Sequence, residues 1–341
     1  MTKLADILGQ EGAVDSIRRA YRAGRLAHGL IFAGPAGVGK ATTARALAGL
    51  FLCAHPKDDV PCGQCASCTV MGSGNHPDYH VITKELIRYH DKTGKSKGID
   101  LSLNVLRPEL IEPAGRKAMM NHGKVFIIEQ AELMNTQAQN AILKTLEEPA
   151  GQTLIILLTD QPGALLPTIR SRCQIVRFAA LAPELVAKQL AGRGIDAKTA
   201  ASASAFAEGS LGLALKWIED GVIDAAGQLA AQVEQLLAGR GCAADLPDWF
   251  KAAAESYAQK QMERDPLSSK DQATREGLGL YLHIAGNTMR RKLAATDDPE
   301  RLEQICAGID ALARAEMYLD ANVNIPLTFQ QLAVTLERQL A

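Results

Sequence analysis

The chain has 341 residues, which is too long for one ordinary core and predicts two or three domains, and 47% of its residues are hydrophobic, which is enough for compact globular packing. Its 37 Lys and Arg residues balance 38 Asp and Glu residues, which argues against a free-standing nucleic-acid-binding protein held by bulk charge. The sequence contains no run of about twenty apolar residues, and its N-terminus lacks a secretory signal pattern, so we expect a cytoplasmic protein without a membrane span.

The first half of the chain alternates between predicted helices and strands. A helix is predicted over 11–25, then a buried strand over 30–34, a glycine-rich turn and a helix from Lys40 to about residue 53. Residues 53–78 are rich in turn formers, and 80–103 are interpreted as a strand pair or a long polar excursion. The later elements are a helix over 104–120, a strand over 124–130, a helix over 136–149, a strand over 152–160, and a short helix with an edge strand over 165–178.

This alternation indicates an α/β fold, an open sheet of parallel strands covered by helices on both faces. After Phe178 the strand patterns stop, and three short helical segments separated by glycines follow. From residue 221 onward every periodic segment is helical. We therefore predict an α/β P-loop domain over 1–178 with a cysteine-rich module inserted at about 53–68, a small helical lid domain over 179–220, and an all-α domain over 221–341.

The glycine-rich turn, "GPAGVGKAT", fits the phosphate-loop pattern G-x-x-x-x-G-K. Gly34, Gly37 and Gly39 allow backbone N–H groups to turn toward phosphate oxygens, and the Lys40 ammonium neutralises phosphate charge. Because a predicted strand precedes the turn and a predicted helix follows it, we favour a nucleotide-binding loop over a tight strand-to-helix turn without a ligand.

The residues that should bind magnesium and activate water are altered. Ala41 stands where a Ser or Thr hydroxyl holds Mg²⁺, and Thr42 comes one position late, which turns its side chain by about 100° around a helix. At the end of the strand over 124–130, Glu129 and Gln130 replace the Asp that holds the metal and the Glu that polarises water. We therefore expect a degraded Mg²⁺ site without productive hydrolysis, and these residues leave open whether ATP or ADP binds.

Four of the seven cysteines follow the pattern C-x8-C-x2-C-x2-C, and they are Cys53, Cys62, Cys65 and Cys68. Because C-x2-C turns bring two thiolates to one ion and four thiolates complete a tetrahedron, the spacing predicts a structural Zn²⁺ site. The alternatives are a redox dithiol and four unrelated reduced cysteines, and His55 and His76 are nearby alternate ligands. Cys173, Cys242 and Cys306 are expected to be small core residues.

With these residues assembled, the chain resembles the delta-prime subunit family of bacterial DNA polymerase III clamp loaders, which are AAA+ proteins. The resemblance extends over nearly the whole chain and is carried by the segments "ILGQE", "RLAHGLIFAGPAGVGK", "PCGQCASC" with "GNHPDYH", "LMNTQAQNAILKTLEEP", "TIRSRCQIVRF" and "LDANVNIPLTFQQL". It implies a RecA-like AAA+ domain, a helical lid, and a C-terminal collar domain that joins the chain to other subunits.

The resemblance also implies roles for three further positions. In clamp loaders the arginine of the "SRC" segment is an arginine finger that reaches ATP held by a neighbouring subunit, and here it is Arg172, with Arg170 as the adjacent candidate. Thr159 matches the sensor-1 position beside the γ-phosphate. Gly212 occupies the sensor-2 position where motor subunits carry Arg, which argues against productive ATP use by this chain.

The implied function is that of a stator, a non-hydrolysing clamp-loader subunit that helps to load the sliding clamp onto primed DNA during replication. Its implied partners are the motor ATPase subunits and delta in a hetero-oligomeric ring, together with the clamp and DNA, and polymerisation belongs to another subunit of the holoenzyme. One alternative is an active motor-type clamp-loader ATPase, which Ala41, Gln130 and Gly212 disfavour. The other is a zinc-dependent nucleic-acid-binding regulator, which the near-neutral charge disfavours.

Overall fold

The computed structural model describes residues 2–90, 100–120, 122–264, 269–321 and 323–340. The chain separates into two compact units, one made of residues 1–189 and 208–213, the other of residues 190–207 and 214–341. Our division into three domains stays a prediction. None of the described helices is both long enough and apolar enough to cross a membrane.

The first unit is built on a parallel sheet of five strands in the order β2-β3-β4-β1-β5. The strands are β1 (Gly29–Ala33), β2 (Tyr79–Ile82), β3 (Lys124–Ile128), β4 (Thr153–Thr159) and β5 (Gln174–Arg177). Every residue of β1, β3 and β4 is buried, as expected for central parallel strands that carry helices on both faces. The predicted open α/β P-loop fold is therefore confirmed, and the predicted edge strand is β5.

Helices cover both faces of this sheet, and the side chains of β1 alternate between two cores. Leu30 and Phe32 pack in the cluster that contains the apolar residues of α1 (Glu11–Arg22) and α2 (Lys40–Phe51), whereas Ile31 and Ala33 pack in the cluster that contains those of α5 (Leu103–Leu106) and α7 (Thr136–Glu147). The α-helical segments up to residue 191 are α1 (Glu11–Arg22), α2 (Lys40–Phe51), α3 (Ala66–Gly72), α4 (Ile87–His90), α5 (Leu103–Leu106), α6 (Glu112–Ala114), α7 (Thr136–Glu147), α8 (Pro167–Arg170) and α9 (Pro183–Ala191).

Two stretches of the first unit differ from the sequence prediction. In the stretch over 80–103, β2 is followed by short helical turns as far as His90, and residues 91–99 lie outside the described residues. The helix predicted over 104–120 ends at Ala114 and contains a π-helical turn at Arg107–Ile111. A helix as far as residue 120 is excluded, because the carboxylate of Asp78 accepts the N–H groups of Met119 and Met120 at 2.7 and 2.8 Å, and these donors are no longer available to a helix.

Every secondary-structure element described in the second unit is a helix, as predicted. From residue 197 onward the helices are α10 (Ala197–Phe206), α11 (Leu211–Glu219), α12 (Val222–Leu237), α13 (Leu246–Arg264), α14 (Lys270–Leu293), α15 (Pro299–Asp320) and α16 (Ile325–Leu340). The expectation that Cys242 and Cys306 are core residues is wrong, because both are exposed. Cys242 follows α12 in a loop and Cys306 lies on the outer face of α15, and only a packed structure distinguishes those faces.

Candidate functional site

The phosphate loop follows β1 directly and leads into α2, in the arrangement that the sequence predicts. Gly37 and Gly39 have φ angles of 71° and 107°, in the left-handed region that favours glycine. Gly34 is required for another reason, since a Cβ there would lie 2.3 Å from the carbonyl oxygen of Phe178. Lys40 is the first residue of α2. The backbone shape needed for a phosphate cradle is therefore present.

The Lys40 ammonium is bonded to the loop itself. Its Nζ donates to the carbonyl oxygens of Gly34 at 2.5 Å and Pro35 at 2.7 Å, and the side chain is nearly buried. Burial lowers the pKa of Lys40, although the charges of Asp160 and Glu132 oppose that shift. The sequence analysis missed Asp160 and Glu132 as neighbours of Lys40. The position of Asp160 directly after β4 was the available signal.

Residues 210–213, which belong to the same unit, pack against the phosphate loop. The backbone N–H of Gly212 donates to the carbonyl oxygen of Gly37 at 2.9 Å. A Cβ on Gly212 would lie 2.9 Å from Gly37 Cα, and a Cβ on Gly37 would lie 2.2 Å from Ser210 Oγ. Only glycine at positions 37 and 212 allows this approach, and Gly212, the expected sensor-2 position, therefore brings its backbone to the loop.

The positions at which we expect altered magnesium ligands lie in the first turn of α2 and directly after β3. Ala41 and Thr42 are both exposed. Burial and the nearby charge of Glu85 raise the pKa of Glu129, which favours its neutral form, while Arg45 opposes that shift. Gln130 is exposed and turns away from β3 with a φ of 50°.

Thr159 ends β4 beside the phosphate loop. Its carbonyl oxygen accepts the N–H of Gly34 at 3.2 Å, and its buried hydroxyl Oγ1 accepts the N–H of Gln161 at 3.0 Å. The structure thus brings the predicted sensor-1 residue to the loop through its backbone. Its side chain serves the turn that follows the strand.

The four predicted metal ligands come together. The sulfur atoms of Cys53, Cys62, Cys65 and Cys68 all lie within 4.8 Å of one another, and the Sγ atoms of Cys62 and Cys68 are 4.0 Å apart. Four thiolates around one ion at about 2.3 Å require sulfur atoms separated by a little under 4 Å. The donor set and its spacing therefore fit one tetrahedrally bound metal ion.

Backbone N–H groups act on the thiols of this cluster. N–H groups of Gln64 and Cys65 lower the pKa of Cys62 to about 6, whereas burial raises the pKa of Cys68 to about 12. Cys62 N donates to Cys53 Sγ at 3.2 Å, and Cys68 N donates to Cys65 Sγ at 3.4 Å. Such N–H···S bonds hold the sulfurs in place before a metal binds and compensate part of the thiolate charge.

The cysteine module, residues 53–72, is fastened to the sheet domain by buried polar groups. Asp59 is 4% exposed and its carboxylate accepts hydrogen bonds from the guanidinium groups of Arg18 and Arg22, with an Arg22 Nη2 to Asp59 Oδ1 distance of 2.6 Å. The Ser67 hydroxyl donates to Leu52 O at 2.6 Å and contacts His76 Nε2 at 2.9 Å. The hydrogen bond from Arg18 lowers the pKa of Asp59, and burial lowers that of His76. The sequence analysis missed these anchors.

Arg172 lies at the other end of the sheet from the phosphate loop. Its carbonyl oxygen would be 3.4 Å from a Cβ on Gly29, the first residue of β1, whereas Gly34 follows the last residue of that strand. Strands rise about 3.3 Å per residue, so the first and last residues of β1 are about 13 Å apart. The Arg172 guanidinium contacts Glu147 and is about one-third exposed, and Arg170 is exposed.

Comparison with known proteins gives a consistent result. A family model described as "DNA polymerase III, delta subunit" matches residues 9–182. The chain is similar to DNA polymerase III subunit delta' of Pseudomonas aeruginosa, with 37% identity over 43% of this chain and 42% of that protein. The delta' subunit of Bacillus subtilis is 35% identical over 49% of this chain and 46% of that protein. The aligned stretch thus spans about half the length of these relatives or less.

Among solved structures, a DNA polymerase III gamma subunit-related protein of Thermotoga maritima matches with a TM-score of 0.43 and 18% identity, covering 95% of this chain and 100% of that one.

Proposed function

The chain belongs to the delta-prime family of DNA polymerase III subunits, and we propose that it is a non-hydrolysing stator of the clamp loader. In this role it helps motor ATPase subunits and delta to open the sliding clamp and load it onto primed DNA in the cytoplasm. Its own nucleotide site is degenerate. ATP is hydrolysed in a neighbouring subunit, which Arg172 assists.

The observation that carries this proposal is the closed phosphate loop. Lys40 Nζ is bonded to the carbonyl oxygens of Gly34 and Pro35, and the Gly37 carbonyl is bonded to the N–H of Gly212. A bound phosphate would have to replace the first pair of contacts and tolerate the second. Together with Ala41 and Gln130, this arrangement supports a site without turnover.

The position of Arg172 supports action on a neighbour. About 13 Å of β1 lie between Arg172 and the end of the strand that carries this chain's own phosphate loop. A guanidinium at the opposite end of this strand is too far away to act on this chain's own phosphate loop, which supports action on nucleotide held by another subunit. There it would neutralise the charge that develops on the γ-phosphate during hydrolysis.

We assign the cysteine module a structural Zn²⁺ ion held by Cys53, Cys62, Cys65 and Cys68. The fit rests on four sulfur donors within 4.8 Å of one another. A closed set of four thiolates leaves no position for a catalytic water, so the ion would stabilise the module and take no part in hydrolysis.

Two measurements test the proposal. The purified chain alone should hydrolyse no more ATP than its Lys40→Ala variant, and robust turnover that Lys40→Ala abolishes would favour the motor-type ATPase instead.

In a clamp loader reconstituted with motor subunits and delta, Arg172→Ala should slow hydrolysis at the adjacent site about 10³-fold or more while assembly is unchanged. Arg170→Ala is the matched control and should retain most of the activity. An Arg172→Ala complex with the wild-type rate would refute the role in trans.

A further inference from the structure

The guanidinium of Arg172 has a defined set of partners in the first unit. Its Nε donates to Oε1 of Glu147 at 2.5 Å, and Nη2 contacts the same oxygen. Nη1 donates to the carbonyl oxygen of Thr168 at 3.0 Å. Glu147 is the last residue of α7, and Thr168 lies in α8. Two neighbouring helices therefore orient one cation.

The stereochemistry of these contacts decides which N–H groups remain. A guanidinium has five N–H donors in one plane, and Nε together with one terminal nitrogen forms its lateral edge. Glu147 binds that lateral edge, and Thr168 takes one N–H of Nη1. Three of five donors are engaged, so one N–H on each terminal nitrogen is left. Free N–H groups on two terminal nitrogens can donate to two phosphate oxygens at once.

Glu147 itself stands on a well-packed part of the sheet edge. A ring nitrogen of His28 donates to the carbonyl oxygen of Leu146 at 2.5 Å. A Cβ added to Gly29 would lie 3.2 Å from Leu146 Cδ2 and 3.0 Å from Cys173 Sγ. The end of α7 and the segment that carries Arg172 are thus both packed against the first residues of β1. The residues next to Glu147 and Arg172 in the chain therefore pack against the same end of β1.

We propose that Glu147 is a positioning residue for Arg172: its carboxylate holds the lateral edge of the guanidinium, so that the remaining N–H groups of the terminal nitrogens are held ready for nucleotide in the neighbouring subunit. This inference rests on the proposed function of Arg172. Without Glu147 the long arginine side chain would sample many rotamers, and fewer complexes would carry the finger in its productive orientation.

The test uses the reconstituted clamp loader with clamp and primed DNA, in which the chain carries Glu147→Gln, Arg172→Ala, or both. Since exposed ion pairs contribute little individually, Glu147→Gln should lower kcat for ATP hydrolysis about threefold to fivefold. KM for ATP should change less than kcat, because the finger acts on the transition state. The double variant should be as slow as Arg172→Ala alone, since Glu147 acts only through that guanidinium.

The matched control is Glu148→Gln, which removes the same charge one residue later. Among the described residues the Glu148 carboxylate forms no hydrogen bond or ion pair, so this variant should keep the wild-type kcat. If Arg172→Ala is slow but Glu147→Gln keeps or exceeds the wild-type rate, the positioning role is refuted while the proposed function stands. A double variant slower than Arg172→Ala would also refute it. A wild-type rate for Arg172→Ala would refute the proposed function itself.

Discussion

The phosphate loop and the cysteine cluster are two small polar sites in the same unit, and their polar atoms are used in opposite ways. In the loop, the Lys40 ammonium and the Gly37 carbonyl are bonded to groups of the chain itself. In the cluster, four sulfur atoms converge on one point, and backbone N–H groups bond to the sulfurs of Cys53, Cys62 and Cys65. Both sites have the backbone shape of a ligand site, but the polar groups of the loop form their hydrogen bonds with other groups of the same chain.

This difference has a physical reason. The loop contains backbone carbonyls and an ammonium, which are complementary and can satisfy one another without a ligand. Thiols are weak hydrogen-bond donors, and thiolates repel one another, so a group of four gains most of its stability from a cation. A loop with the shape of a phosphate site can therefore satisfy its polar groups through a few contacts within the chain, whereas a four-cysteine cluster cannot do so without a bound cation.

The largest effect is expected from breaking the cluster. Cys68→Ser should abolish binding of one equivalent of zinc and lower the free energy of unfolding by about 4 kcal/mol or more, because metal binding and module folding are linked. Metal analysis combined with denaturant unfolding measures both quantities. Cys306→Ser, which changes an exposed cysteine in the second unit, should have no effect on either. A wild-type protein that is purified without zinc and is fully stable would contradict the view that the cluster, unlike the phosphate loop, needs a bound cation.

The closed loop is tested by adding one methyl group to it. Gly37→Ala should cost about 2–3 kcal/mol, since the new Cβ meets a positive φ and would lie 2.2 Å from Ser210 Oγ. Gly39→Ala has a positive φ but no atom within 4 Å of the added Cβ, so it should cost about 1 kcal/mol from backbone strain alone. The difference between the two losses in free energy of unfolding measures the contact of the loop with residues 209–213. Hydrogen exchange at the Gly212 N–H should accelerate in the first variant, and equal behaviour of the two variants would show that the contact is absent in solution.

The anchor of the cysteine module provides a smaller effect with a defined pH dependence. Asp59→Asn should cost about 1–3 kcal/mol at neutral pH, because Arg18 and Arg22 lose a buried carboxylate partner. The pKa of Asp59 is lowered in the folded chain, so its contribution is present above the unfolded value of 3.8 and is lost as pH falls through the lower folded pKa.

Unfolding curves of the wild type and Asp59→Asn should therefore converge only below pH 3.8. Asp58→Asn, at the neighbouring exposed position, serves as the control. A constant difference between wild type and Asp59→Asn down to the most acid conditions would exclude the two arginines as its cause.

The smallest effect is expected at His76. Burial lowers the pKa of this imidazole from 6.5, so the folded chain holds it neutral while the unfolded chain takes up a proton. Stability should therefore be full above pH 6.5 and fall by about 1 kcal/mol or less as pH drops toward the folded pKa. His76→Gln should flatten this part of the pH profile measured by thermal unfolding. His55→Gln, at an exposed ring, should leave the slope unchanged, and so a slope that survives His76→Gln would identify another group.

Local sequence patterns predicted much of this molecule. The apolar runs of β1, β3 and β4 are confirmed as buried central strands, because a parallel sheet covered on both faces demands continuous hydrophobic segments. The C-x2-C spacing brought the cysteines together because it is a property of a short turn. The helix predicted over 104–120 was too long, and the N–H groups of Met119 and Met120 instead donate to Asp78, which is distant in sequence.

Other features were decided only by the tertiary structure. The contacts of Gly212 with Gly37, of Asp59 with Arg18 and of Glu147 with Arg172 join residues that are far apart along the chain. A sequence pattern records backbone preference and local spacing, which neighbouring residues determine. Which carbonyl meets which N–H, and at which edge of the sheet an arginine lies, depends on the path of the whole chain. The sequence alone thus determined the central strands, most of the helices and the four-cysteine cluster, while packing decided that the phosphate loop is bonded to its own chain.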